Sequence, residues 1–193
     1  MRLEVLDSGH SFATKILFAL IRAFSRQPVL DVIKLVKYRA DFYGTPMQAV
    51  TQEAMRGASA WSVGDRELMA AFVAKANESE WCTRAHVAVA RGAYRDGAKV
   101  SAAIADLERA PIEEPLRATL RMLGKLTREH GVNADDMRAV LASGVSRQQI
   151  EDALAVCFAF NTIGRLAVAF GFALASPKGF EAGARYLLMR GYR

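Results

Sequence analysis

The chain has 193 residues, 52% of them apolar and 24% charged, an ordinary globular usage that excludes intrinsic disorder and leaves room for one compact core. A formal net charge of +6, spread along the chain, excludes a dedicated nucleic-acid stripe. Two cysteines cannot build a disulfide framework and point to a reducing, cytoplasmic compartment.

No stretch alternates apolar and polar residues for long enough to make a strand. Apolar residues recur instead at three and four positions, the period of a helical stripe. The pattern predicts helices over about 12–25, 29–38, 46–56, 63–77, 80–95, 98–106, 114–129, 134–143, 146–171 and 177–190. The first carries Phe12, Ile16, Leu20 and Phe24 along one stripe, with Lys15, Arg22 and Arg26 along another. Such a helix packs on its own domain or reaches across an oligomer interface; a membrane surface is the rarer use. Its uninterrupted apolar run, Ile16 to Ile21, is far shorter than the roughly 20 residues of a spanning helix. No small-residue cleavage site follows, so neither an integral membrane segment nor a secretory signal is expected. His10, just before it, falls in irregular chain.

Pro46 and Pro115 suit first-turn positions, where a missing N–H costs nothing. Ser62 with Asp65 reads as a capping box, and Asn133 and Ser146 precede further helices in the same manner. Gly144 ends the helix before Ser146, and His130 stands at another helix end. The segment from Glu108 to Pro115 is the best internal boundary but too short for a linker. The expected fold is all-α with about ten helices. The expected organisation is an N-terminal helical arm over 1–40 and a single compact unit over 41–193.

The chemistry concentrates in Asn77-Glu78-Ser79-Glu80-Trp81-Cys82-Thr83-Arg84-Ala85-His86. With Asn77 or Ser79 as cap, Cys82 falls in the first turn, where unpaired amides and the helix dipole favour thiolate. His86 lies one turn further along the same face, within reach of the sulfur. A cysteine so placed is either an activated nucleophile or a small buried hydrophobe. Glu67, on the preceding helix, shares its face with Ala71 and Ala74, a setting that raises a carboxyl pKa and suits proton transfer. If the helices fold back at Asn77-Glu78, the three residues meet. Asn161 and Arg165 lie one turn apart on an otherwise apolar helix. Arg165 would either face the active site or an inter-subunit pocket and bind an anionic substrate group, or form a buried pair with an acid such as Glu67 or Asp152. Cys157 sits among apolar neighbours and reads as core. Three dispersed histidines and two separated cysteines give no zinc-ligand spacing.

Gly64-Asp65-Arg66-Glu67-Leu68 followed by Asn77-x-Ser79-x-Trp81-Cys82-x-x-Ala85-His86 resembles the AhpD-like superfamily of alkylhydroperoxidases and carboxymuconolactone decarboxylases. Its peroxidase branch carries an upstream glutamate and Asn-x-Cys-x-Tyr-Cys-x-x-Ala-His. Asp41-Phe42-Tyr43-Gly44, Ala142-Ser143-Gly144-Val145-Ser146 and Phe160-Asn161-x-x-Gly164-Arg165-Leu166 extend the likeness over about 40–175. The resemblance implies an AhpD-like helical bundle that is homo-oligomeric and needs no cofactor. It implies that Cys82 attacks a small or lipid hydroperoxide, His86 relays a proton and Glu67 serves as base. Trp81 then takes the aromatic position before the nucleophile. Ser79 stands where the family has its resolving cysteine, so no internal disulfide can form and an external thiol is the expected reductant. Two alternatives stand beside this antioxidant role: a decarboxylase-like enzyme in which His86 and Glu67 move protons on a carbon acid, and a non-catalytic oligomeric relative.

Overall fold

The computed structural model describes residues 2–192. Among them are eleven α-helices and one π-helical turn, with no strand. They run α1 (Val5–Ser8), α2 (Phe12–Ser25), α3 (Asp31–Tyr38), the π-turn (Ala40–Gly44), α4 (Thr45–Arg56), α5 (Val63–Ala76) and α6 (Glu80–Tyr94). There follow α7 (Gly97–Ala105), α8 (Glu114–Glu129), α9 (Ala134–Ala142), α10 (Arg147–Phe170) and α11 (Pro177–Arg190). The all-α expectation holds. The two elements without a predicted counterpart, α1 and the π-turn, are each too short for an apolar period to register.

Local signals set the ends. Ser62 accepts from the Asp65 N–H while Asp65 accepts from the Ser62 N–H, and the same reciprocal boxes open α9 (Asn133, Asp136) and α10 (Ser146, Gln149). Proline stands in the first turn of α4, α8 and α11. Gly144 follows α9 with φ of +92°, a left-handed conformation suited to glycine.

Helix α5 is the centre. Leu68, Met69, Ala70, Ala71, Val73 and Ala74 are all fully buried, so the helix is apolar around its circumference, as an enclosed helix must be. Its alanines let α6, α8 and α10 approach closely. Leu68, Met69, Leu120, Leu123, Val156 and Phe160 anchor the larger core. A second core gathers Leu6, Leu35, Ala74, Trp81, Cys82, Ala167, Phe172 and Phe180. Helix α10 has the length and hydropathy of a membrane-crossing helix, yet its buried stripe lies against α4, α5 and α8, as a core helix's does.

Of the two expected uses of the N-terminal stripe, packing on its own domain is not the one observed. Phe12, Ile16, Leu20 and Phe24 do not pack on the domain: Phe12 is 80% and Phe24 87% exposed. Phe18, on another side of α2, is the buried residue, edge-on to the His10 ring with centroids 4.8 Å apart. His10 itself is buried, bonded through Nε2 to the Leu6 carbonyl at 2.8 Å. The apolar stripe was a true amphipathic signal. It could not say which stripe meets the domain, because helix orientation is decided by tertiary contacts.

The π-turn sets Tyr43 against the second core. Gly44 closes it, and a Cβ there would collide with the Val36 carbonyl. Gly44→Ala is therefore expected to lower stability by about 1–3 kcal/mol. Urea unfolding should show an earlier midpoint with an unchanged slope.

Candidate active site

Helices α5 and α6 pack antiparallel through the turn at Asn77-Glu78, where Glu78 takes φ of +56°. That fold-back places the Glu67 carboxylate against the His86 ring, with Oε2 2.8 Å from Nδ1. Glu67 is completely buried and His86 nearly so. The expected meeting of these two residues is thus observed.

A buried carboxylate survives only if donors surround it. Two come from outside the motif. Arg56, at the end of α4, donates through Nη2 to Glu67 Oε1 at 2.7 Å, and also to the carbonyls of Met55 and Leu187. Tyr192, beyond α11, donates its hydroxyl to Oε1 at 2.9 Å and approaches Oε2 at 3.1 Å. The Arg56 guanidinium also lies over the Tyr192 ring, 5.1 Å from its centroid.

This setting reverses one expectation. Burial alone would raise the Glu67 pKa, but the hydrogen bond and charge of His86 and the Arg56 guanidinium hold it below the ordinary carboxylate range. Glu67 is then an ionised anchor rather than a base with an elevated pKa. Facing an ionised oxygen, His86 Nδ1 carries the proton, which leaves Nε2 with the lone pair in the neutral ring. Phe160 supports the imidazole edge-on at 4.2 Å between centroids.

Cys82 lies in the first turn of α6, as expected, but entirely buried. Burial pushes its thiol up to about 11, with the Ser79 hydroxyl acting in the opposite direction. The expected thiolate bias is overturned for the resting state. No hydrogen bond joins the sulfur to the His86 ring among the described residues, although the two lie one turn apart on α6. Ser79 occupies the N-cap position without capping: its hydroxyl makes no cap bond and is buried with no oriented partner. It stands close enough to Cys82 to favour the thiolate. Gly164 of α10 keeps this turn roomy, since even a Cβ there would stand 3.6 Å from that of Ser79.

Trp81 is buried edge-on against Phe172 at 5.6 Å and beside Phe180, with its Nε1 unpartnered. Tyr43 shares this cluster, its phenol pushed up to about 12, chiefly by burial and then by Cys82. Arg165, expected as a buried cation, is exposed and pairs with neither Glu67 nor Asp152. Its apolar helical neighbours suggested burial, but position 165 falls on the outer side of α10. Asn161, one turn earlier, links Asn77, Thr127 and Cys157 inside the protein, where Cys157 is a buried core thiol as expected. Among the described residues no group of three or more His, Cys, Asp or Glu side chains is placed to hold a metal ion.

Sequence reasoning missed Arg56, Tyr43 and Tyr192. The one available hint was that a buried Glu67 demands a cation, and Arg66, Lys75 and Arg56 are the nearest three in sequence.

No family model and no curated protein matches the chain. Solved structures do. A peroxidase-related protein from Silicibacter sp. TM1040 superposes with a TM-score of 0.77 at 22% identity, over 93% of each chain. A second, described as an alkylhydroperoxidase AhpD core and peroxidase-related protein from Ralstonia eutropha JMP134, superposes with a TM-score of 0.74 at 20% identity, over 92% of each chain. The chain therefore has the AhpD-like fold.

Proposed function

We propose that this AhpD-like chain reduces organic or hydrogen hydroperoxides through Cys82, with an external thiol as reductant. The observation that carries this reading is the buried Glu67–His86 pair, set one helical turn from a cysteine at the start of α6. Cys82 starts as a thiol, so its proton must leave as the peroxide enters. His86 is the acceptor, through Nε2, with the imidazolium stabilised by Glu67 at Nδ1. The thiolate attacks the distal peroxide oxygen, the S–O bond forms and the O–O bond breaks. Sulfur is oxidised by two electrons, and the leaving alkoxide takes the proton back from His86 to depart as an alcohol. The resulting sulfenic acid condenses with one external thiol, releasing water. A second external thiol then frees Cys82 and leaves as the disulfide. Ser79 cannot replace that reductant, having no sulfur. The Trp81 face of the second core is the apolar wall offered to the organic part of the substrate.

Sulfenic acid trapping with a cyclic dione, after hydrogen peroxide or cumene hydroperoxide, tests this reading. The parent and Cys157→Ser should label, and Cys82→Ser should not. His86→Ala should label at least about 100-fold more slowly, the scale of a lost general base. An unlabelled parent would sink the peroxidase.

One observation favours a second reading. The thiol pushed up to about 11 is poor as a resting nucleophile, while the Arg56–Glu67–His86–Tyr192 cluster is assembled without it. If the reaction is proton transfer on a carbon acid, Cys82→Ser retains turnover and His86→Ala loses it.

A further inference from the structure

The Glu67–His86 pair has a third member that comes from the far end of the chain. After α11, Gly191 turns with φ of +68° and ψ of −149°, a backbone region open to glycine. A Cβ at Gly191 would meet Gln52 Oε1 at 2.5 Å. The same oxygen accepts the Tyr192 N–H at 2.7 Å, so Gln52 of α4 pins the backbone where it re-enters the protein. The Tyr192 ring then stacks near that of His86, with centroids 6.4 Å apart and planes 20° from parallel. Its hydroxyl reaches both oxygens of Glu67 and stands 3.4 Å from His86 Nδ1. Burial and the carboxylate keep the phenol protonated, well above its ordinary range, so it remains a donor at neutral pH.

From this geometry we propose that Tyr192 is a positioning residue for the proton relay, an inference that rests on the functional reading above. A carboxylate held by Arg56 alone can swing about its terminal torsion. With Tyr192 on one side and Arg56 on the other, its Oε2 lone pair is aimed at Nδ1. That aim selects the tautomer of His86 with the proton on Nδ1 and the lone pair on Nε2, the nitrogen that must receive the Cys82 proton. The Gly191 turn and the Gln52 clasp thereby connect the seating of α11 to the protonation geometry of α6.

The test is Tyr192→Phe, which removes one oxygen and keeps the ring between Arg56 and His86. The ring nitrogens of His86, followed by 15N NMR in the full-length chain, report the tautomer directly and need no peroxide. The parent should hold a single Nδ1–H tautomer, and the variant should show both, with the ratio at least about tenfold lower, as loss of a hydrogen bond to a charged group would cause. Cys82 oxidation by hydrogen peroxide should slow in the variant by a similar factor, with its pH profile displaced. Gly191→Ala, which keeps the hydroxyl but dislodges it, should reproduce the mixed tautomer and covers the case of a poorly folding phenylalanine variant. An unchanged tautomer ratio in both variants overturns the inference. A changed ratio in a parent that never forms sulfenic acid would uphold it and refute the peroxidase reading alone.

Discussion

Arg56→Met should cost the protein about 3–5 kcal/mol, the penalty for leaving one member of a buried ion pair without its partner. The methionine matches the arginine stem, so the loss is chiefly that of the charge on Glu67 Oε1 and of the bonds to Met55 and Leu187. The pH dependence distinguishes this cause from simple loss of packing. In the parent, the folded-state pKa of Glu67 lies below its ordinary value of 4.5. Its contribution is therefore present above the ordinary carboxylate range and is lost as pH falls through the depressed folded value. Without Arg56, burial becomes the dominant influence and the folded pKa rises above the unfolded one. The contribution is then present in acid and is lost as pH rises through that higher value. In the parent, urea midpoints should be level across the neutral range and fall as pH drops below the ordinary carboxylate value of 4.5, whereas in the variant they should fall as pH rises through the elevated folded value. Parallel curves separated by a constant offset would show that Arg56 acts through packing alone.

Alkylation of Cys82 in a Cys157→Ser background should follow a thiolate that appears with a midpoint at about 11, against an ordinary 9.0. Two units correspond to about 100-fold less thiolate at pH 7 than an unperturbed thiol would hold. Ser79→Ala should slow alkylation further, because the serine hydroxyl favours the anion. The contrast with peroxide is informative. Iodoacetamide, which requires preformed thiolate, should give a rate rising about tenfold per pH unit across the neutral range. Peroxide oxidation should rise less steeply if His86 removes the proton during attack, and His86→Ala should make the two profiles parallel. A midpoint below 8 would mean that the helix start dominates over burial and that the resting cysteine is already armed.

Most of the secondary structure is legible in the sequence. The caps at Ser62, Asn133 and Ser146 act within four residues, and Pro46 and Pro115 act on their own torsions. Helix edges accordingly fell within one or two residues of the expected ones. The Glu67–His86 contact was legible too, because Asn77-Glu78 reverses the chain between two adjacent helices and leaves a single plausible pairing of faces.

What the sequence by itself determined, then, is everything governed by near neighbours: the all-α class, the helix order, the motif turn carrying Ser79, Trp81, Cys82 and His86, and the acid opposite it. Tertiary structure alone decided the protonation of that acid and that thiol. Each pKa is a balance between burial and partners, and the partners arrive from afar: Arg56 from α4 and Tyr192 from beyond α11 for Glu67, the closed second core for Cys82. Tertiary structure also turned Arg165 outward and Phe18 inward, choices between faces that a helical period leaves open. A carboxylate with two more donors becomes an anchor, and a thiol with no water becomes a weak acid, because desolvation and hydrogen bonding depend on what surrounds a side chain and not on what precedes it.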